Sequence, residues 1–360
     1  MENFLIDTSF NNSPGAQIIN TNLLKNFLRY KNQKIIIIKN YKIYFFKKKK
    51  LYYQDLKRTN SKFIWYFFEI NKIIKKYKIK KYFSFCGHLP FFKKKNVQYL
   101  MSINNMLPFE LKKIILKSDT NFQFIIKYFL LYIIYKFNVS KASKVIFFSK
   151  SAKKIVSKSL NSNNNTKVIL TGYNKFKFNK KNRKNFLVYH SSFKSYKNHK
   201  VIVEAYKILK NKGFKLPKIY FLGKLERQDI DHFNLLSKLI GKYNLRSSIH
   251  FKLGKNNKQT VNYLLQSNYA IFPSICETNS IALMEIIATR TPCLVANIDA
   301  NKEVAKHYAT YFNPFNAFDL SKKIYNLILL KQKKKNKKKN YSFVNNKITW
   351  ESWYKKIVSL

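Results

Sequence analysis

The chain has 360 residues, too many for one ordinary core and enough for two domains of middling size. Hydrophobic residues make up 46% and aromatics 17%, which excludes global disorder. The formal charge of +55 suggests a nucleic-acid partner, but only six of the 71 basic residues are arginine, the side chain that forks onto phosphate and guanine. Lysine is spread along the chain with Asn, Ile, Phe and Tyr, the amino acids of AT-rich codons, so codon bias accounts for most of the charge. No nucleic-acid partner is expected, and the excess draws the chain to anionic membranes and phosphates.

Taken in chain order, the first half reads as strands at "NFLID", "KIIIIK", "KYFSF", "VQYLMSI", "SKVIFFS" and "TKVIL". Helical patterns fall at "GAQIINTNLLKNFLRY", "SKFIWYFFEINKIIKKY" and "SAKKIVSKSL". "MENFLIDTSF" lacks the basic-then-oily plan of a signal peptide, so a cytoplasmic location is expected, peripheral at the inner membrane face. The oily stretch at 122–139 is interrupted by Lys127 and Lys136 and reads as a core helix, with an interfacial helix as the alternative. Cys86, Cys276 and Cys293 form no CxxC, which argues against a disulfide framework or a zinc site.

Residues 174–185 are polar without apolar period and read as a linker. Beyond them β-type runs ("NFLVYH", "PKIYFLG", "SIHFKL", "NYAIFP", "PCLVAN", "YATYFN") alternate with helical ones, a pattern that implies a parallel sheet covered on both sides. In the first of these helices Val201, Ala205, Ile208 and Leu209 share a face, and Gly213 follows as C-cap. Residues 331–340 are a solvated lysine run, and "ITWESWYKKIVSL" closes the chain as a short amphipathic helix. The expected domains are 1–180, 181–340 and a terminal helix in 341–360.

Ligands of open parallel sheets bind outside the carboxyl ends of the strands. After "NFLVYH" comes Lys197 beside Asn198, a good N-cap; after "PKIYFLG" come Gly223 and Lys224; after "NYAIFP" comes "SICETNSIALME". A helix starting near Ser280 offers free N–H groups and a positive dipole end to phosphate, with Lys197 as counter-charge. Glu285 then lies about 7–8 Å along the axis, the offset of a nucleotide's ribose from its diphosphate. Glu277 lies on the other side, so the two acids bracket a diphosphate. The bland alternative is that Glu285, flanked by Leu283, Met284, Ile286 and Ile287, is buried in a structural ion pair with one of the many lysines.

These residues resemble the C-terminal domain of family 4, or "group 1", retaining glycosyltransferases, which have the GT-B fold. Pro273, Ser274, Glu277, Glu285, Thr291 and Pro292 match its strand–Glu–x7–Glu–turn pattern, and Lys197, Asn198, Glu204 and Ala205 match its Lys-Asn segment. The likeness covers most of 185–330; it is fainter in the first half, at "PGAQIINTNLLKNFL" and "KVIFFSKSAKKI", and returns in "TWESWYKKI". It implies two Rossmann-like doubly wound α/β domains facing a cleft, with the C-terminal helix crossing back to the N-terminal one. It also implies a nucleotide-diphosphate-sugar donor, a saccharide or lipid-linked acceptor, and neither metal nor cofactor. By the match, Lys197 binds diphosphate, Glu285 ribose and Glu277 the sugar hydroxyls, with backbone N–H groups at Asn279, Ser280 and Ile281 meeting phosphate.

The chain departs from the pattern. Glu-Gly-Phe-Gly is here Glu277-Thr278-Asn279-Ser280, the Gly of Gly-Thr-Pro is Arg290, and the usual Arg before the Lys falls near Ser192, leaving Lys194 as its candidate substitute. Candidates for the acceptor side are His88 and Asn105, with Asn104 beside the latter; Gly15 either approaches the donor or makes a turn. "DID" (229–231) reads as dipole-favoured acids at a helix start rather than metal ligands. The rival readings are a basic nucleic-acid-associated protein and a catalytically inactive partner of the same fold.

Overall fold

The computed structural model describes residues 3–10, 14–39, 41–56, 61–118, 120–160, 165–173, 183–326 and 349–360. They form two compact units: Met1–Phe109 with Ile126–Gly172 and Ile348–Leu360, and Glu110–Ile125 with Tyr173–Lys347.

The first unit holds a sheet of eight strands: β1 (Asn3–Asp7), β2 (Ile35–Lys39), β3 (Lys42–Lys47), β4 (Lys50–Asp55), β5 (Ile79–Ser84), β6 (Gln98–Ser102), β7 (Lys144–Phe147) and β8 (Thr166–Val168). Their order is β4-β3-β2-β1-β5-β6-β7-β8. β1 takes parallel partners on both sides, which is why "FLID" is buried throughout. The antiparallel additions β3 and β4 were not anticipated from the sequence; the turn between them, Lys48–Lys49, has positive φ at both residues without glycine or asparagine to signal it.

The helices of this unit are α1 (Pro14–Tyr30), a run from α2 (Lys62–Ile64) through a π turn (Trp65–Glu69) into α3 (Ile70–Lys76), and, after α4 (Leu111–Lys117) of the second unit, α5 (Phe122–Lys141), which groups with this unit from Ile126 onward, and α6 (Lys150–Leu160). α5 corrects the expectation of a core helix. Only 22% of its apolar window is buried, and by length and composition alone it is apolar enough to cross a membrane. The C-terminal helix, Trp350–Val358, groups with this unit: Trp353, Tyr354 and Ile357 are buried, Tyr354 stacks on Tyr30, and Glu351 pairs with Arg29 at 2.9 Å. Gly172 admits its backbone, since a Cβ there would stand 2.5 Å from Trp350.

The second unit is a six-stranded, wholly parallel sheet: β9 (Lys184–His190), β10 (Lys218–Gly223), β11 (Ile249–Leu253), β12 (Ser267–Phe272), β13 (Cys293–Ala296) and β14 (Ala309–Phe312), in the order β11-β10-β9-β12-β13-β14. Between the strands run α7 (His199–Asn211), α8 (Ile230–Lys242), α9 (Asn257–Gln266), α10 (Ile281–Ala288) and α11 (Asp299–Ala305), and α12 (Ala317–Ile324) follows β14. A doubly wound sheet results, with its core in the aliphatic faces of Leu187, Val188, Ile219, Ile271, Leu294 and their neighbours. The lysine run at 331–340 lies outside the described residues, as does the expected linker apart from its end, where β9 begins at Lys184.

Candidate active site

The chain leaves β9 toward β10 and β11 on one side and returns for β12 to β14 on the other, so β9 and β12 flank the sheet's topological switch point. The crevice outside their carboxyl ends is where such sheets bind ligands. Two loops occupy that rim. They are stitched together by the Tyr196 carbonyl, which accepts the Ile275 N–H at 3.0 Å and the Ser274 hydroxyl at 3.5 Å.

The first loop turns through Asn198, whose left-handed backbone (φ 57°) one of the few suitable non-glycine residues supplies. Asn198 holds the N-cap position of α7 but makes no side-chain cap bond, contrary to the sequence expectation. Its amide instead donates to the carbonyls of Pro314 (2.8 Å) and Pro273 (3.3 Å), tying the loops after β9, β12 and β14 together. The Tyr189 hydroxyl donates to the Lys197 carbonyl at 2.7 Å, so the backbone carrying Lys197 is fixed from the strand below.

Lys197 and Glu277 meet here. Nζ lies 2.6 Å from Oε1, with the side chains only 17% and 10% exposed. The expected counter-charge for phosphate is thus neutralised by the acid expected to hold the sugar. Glu285 is buried on α10, and the lysine partner that the bland reading requires is not what it has. Oε2 lies 3.1 Å from His190 Nε2 at the end of β9, and Oε1 accepts from Asn257 Nδ2 at 2.8 Å in the first turn of α9. Neither His190 nor Asn257 was singled out from the sequence. The signal for His190 was available, because it ends the same strand that presents the lysine loop.

The turn into α10 is built differently from the expected cradle. Ser280 stands at the N-cap, but its hydroxyl is directed to Asn301 Oδ1 at 3.1 Å and caps nothing. Asn301 in turn donates to the Ala296 carbonyl at 3.1 Å. The Ile281 N–H points to the Asn279 carbonyl at 2.9 Å, a tight local turn. Where glycine is expected, Arg290 adopts φ 54°, and its carbonyl accepts from Arg183.

Gly223 has a packing role: a Cβ would fall 2.2 Å from the Ser191 carbonyl and 2.9 Å from the Phe193 ring, so glycine lets β10 lie against the loop that carries the lysines. Lys194 lies 3.4 Å from Glu226 and 3.7 Å from buried Asp229. Burial would raise the Glu226 carboxyl, but Gln228 and Lys194 outweigh it and hold it below its ordinary range. Asp229 therefore anchors a lysine, and no cluster of three or more His, Cys, Asp or Glu suited to a metal occurs among the described residues. Burial, reinforced by Glu110, pushes the Cys276 thiol far up, which removes it as a nucleophile.

In the first unit the analogous rim follows β1, β5 and β6. Asp7 ends β1 wholly buried, with hydrogen bonds from Tyr82 (2.8 Å), Trp65 (3.2 Å) and the Ser9 N–H (2.8 Å); burial raises its carboxyl despite them. His88 is buried between the rings of Tyr66 and Tyr135, and burial together with Lys62 lowers its imidazole to about 4. It stays neutral at physiological pH. Asn105 accepts the Leu107 N–H at 3.1 Å, and Asn104 donates to the Phe85 carbonyl at 2.6 Å, so both amides serve the loop after β6. Gly15 lies in the first turn of α1; residues 11–13, just before that helix, lie outside the described residues.

Residues 171–343 match the family model described as glycosyl transferases group 1. No curated protein matches the chain significantly in sequence. Among solved structures the chain is similar to a glycosyltransferase from Rickettsia africae ESF-5 (16% identity, 99% of this chain and 97% of that one, TM-score 0.70). It is similar also to sucrose-phosphate synthase from Thermosynechococcus elongatus (14% identity, 100% and 98%, TM-score 0.74). Anabaena HepE, solved with UDP and glucose, shares 11% identity over 100% and 99%, with a TM-score of 0.70. The fold is therefore GT-B, with two Rossmann-like domains, and the class is that of a glycosyltransferase. The group 1 match falls on the second unit, the one that carries Lys197, Glu277 and Glu285.

Proposed function

We propose that the chain is a retaining, family 4-type transferase that moves a hexose-type sugar from a nucleoside-diphosphate sugar to a saccharide or lipid-linked acceptor. The products would be surface polysaccharide or glycolipid, made at the inner face of the cell membrane. One observation supports the donor half of this reading: two pairs, Lys197–Glu277 and His190–Glu285, each join the end of β9 or the loop after it to the chain after β12, beside the sheet's switch point and within the segment that matches the group 1 model. HepE was solved with UDP-glucose, which supports a donor of that chemical class for a chain of the same fold.

In this reading the diphosphate opens the Lys197–Glu277 pair. The ammonium turns to the phosphates and stabilises the departing charge, while the released carboxylate takes the sugar hydroxyls. Glu285, held by His190 and Asn257, accepts from the ribose. The leaving phosphate oxygen takes the acceptor proton on the face from which the diphosphate departs, so configuration is retained. Orientation of two bound reactants supplies the rest.

The test is a thermal-shift screen of the full chain against UDP, GDP, ADP and their sugars, followed by turnover with the donor that binds. Stabilisation by one base with a sugar preference is expected. Binding without turnover would identify an inactive partner, a reading favoured by the lysine already being neutralised. Retention on nucleic acid with no nucleotide binding would overturn the proposal.

A further inference from the structure

α5 turns its polar economy inside out. Its buried side chains are Tyr128, Tyr135, Asn138 and Val139, which share one face. Asn138 donates to the Gly87 carbonyl at 3.1 Å, and Gly87 must be glycine because a Cβ would meet the Tyr135 ring at 2.6 Å. That face seats the helix on the first unit. On the opposite face Ile126, Phe129, Leu130, Ile133, Ile134 and Phe137 are each between 42% and 55% exposed. At ~100° per residue these six span a single stripe, and Lys127 and Lys136 fall roughly 90° to either side of it. An apolar stripe with a lysine on each shoulder is the pattern of a helix lying in a lipid interface, its ammonium groups reaching up to the headgroups.

The stripe continues beyond the helix. Phe137 meets Phe91 at 6.0 Å between ring centroids, Phe91 stacks on Phe67 at 4.3 Å, and Phe67 stacks on Phe63 at 3.9 Å. Phe63, Phe68 and Phe92 are more than half exposed on this aromatic path. Exposed Lys62, Lys93, Lys94 and Lys95 border it, and Glu69, an acid beside it, is paired with Lys72 at 2.8 Å. A contiguous apolar surface of this kind needs an occupant. A second copy would bring like-charged lysine borders together, whereas an anionic bilayer matches both the apolar strip and its cationic rim.

We infer that α5 and the Phe63–Phe92 aromatic surface dock the first unit onto an anionic membrane, with the helix lying in the interface rather than crossing it. This deepens the functional reading by making the acceptor a lipid-linked one, presented at the surface on which the enzyme rests. The docking itself stands on the exposure and charge of α5, independently of donor chemistry.

The experiment is flotation of the full chain with phosphatidylcholine vesicles, with and without phosphatidylglycerol. It is run at low salt and at high salt, where attraction by charge alone is screened. Wild type is expected to float with the anionic vesicles and to remain partly bound at high salt. L130S/I133S, at two positions about half exposed, is expected to keep the melting temperature of wild type and to lose about tenfold of the salt-resistant partitioning. A F129W reporter is expected to shift to the blue only with vesicles. Equal flotation of wild type and L130S/I133S at every salt would overturn the inference, as would a dimer that the double variant dissolves. UDP-stabilised melting of the same samples reports the donor site separately, so failure of docking and failure of the functional reading are distinguishable.

Discussion

Glu285 Oε2 and His190 Nε2 lie 3.1 Å apart, joining the middle of α10 to the end of β9 across the sheet's switch point. With Asn257 on the other oxygen, the carboxylate is fixed from two further elements. Glu285→Gln keeps the size and the packing but removes the charged acceptor. Donor kcat/KM is expected to fall about a hundredfold while the melting temperature stays within a few degrees, checked by steady-state kinetics and calorimetry. Asn257→Ala, which loses one orienting bond, should cost about tenfold.

Lys197 and Glu277 form a largely buried pair. Removing one charge strands the other, so Lys197→Met or Glu277→Gln alone is expected to destabilise by about 3 kcal/mol. Lys197→Met combined with Glu277→Gln should recover most of that loss in urea titrations and still show no turnover. Additive losses in the double-mutant cycle would show that the two side chains do not interact.

Of the described non-glycine residues with positive φ, Arg290 and Lys306 lie in the second unit after α10 and α11. Arg290 sits at φ 54° and Lys306 at φ 45°, ψ −126°, the latter a region that glycine alone occupies comfortably. Arg290→Gly and Lys306→Gly are each expected to stabilise by about 0.5–1 kcal/mol, read as a rise in the midpoint of denaturant unfolding with unchanged slope.

His88 supplies a pH dependence of known sign. Its imidazole titrates near 4 in the folded chain against 6.5 when unfolded, so between those values the unfolded state binds more protons. Its contribution to stability is therefore full above about pH 6.5 and is lost as pH falls toward 4, by a total of a few kcal/mol. His88→Gln is expected to flatten the stability profile in that window and leave it unchanged at pH 8. An unaltered acid limb would place the titrating group elsewhere.

The second unit was legible because a parallel sheet buried on both faces writes itself as short β-branched runs between amphipathic helices; "NFLVYH" and "NYAIFP" needed no further context. Burial of the Glu285 side chain was foreseeable from its apolar neighbours, but its partners were not, since His190 and Asn257 are 95 and 28 positions away. The β3–β4 hairpin was hidden by its turn: lysines at positive φ give no punctuation where asparagine or glycine would. α5 defeated the reading in another way. Apolar periodicity marks a face that avoids water without saying whether protein or something else covers it, and here the protein covers the opposite face.

The placement of β9 has a consequence for how the second unit is made. It is the first strand of its sheet to leave the ribosome and the one that ends in the middle, bonded to β10 on one edge and to β12 on the other. β10 and β11 arrive soon after and complete one wing, while the other edge of β9 waits, unpaired, through all of α8 and α9. During synthesis the nascent chain thus carries an open strand edge, a ready template for wrong pairing. The rim that carries the candidate site is closed only when β12 docks there.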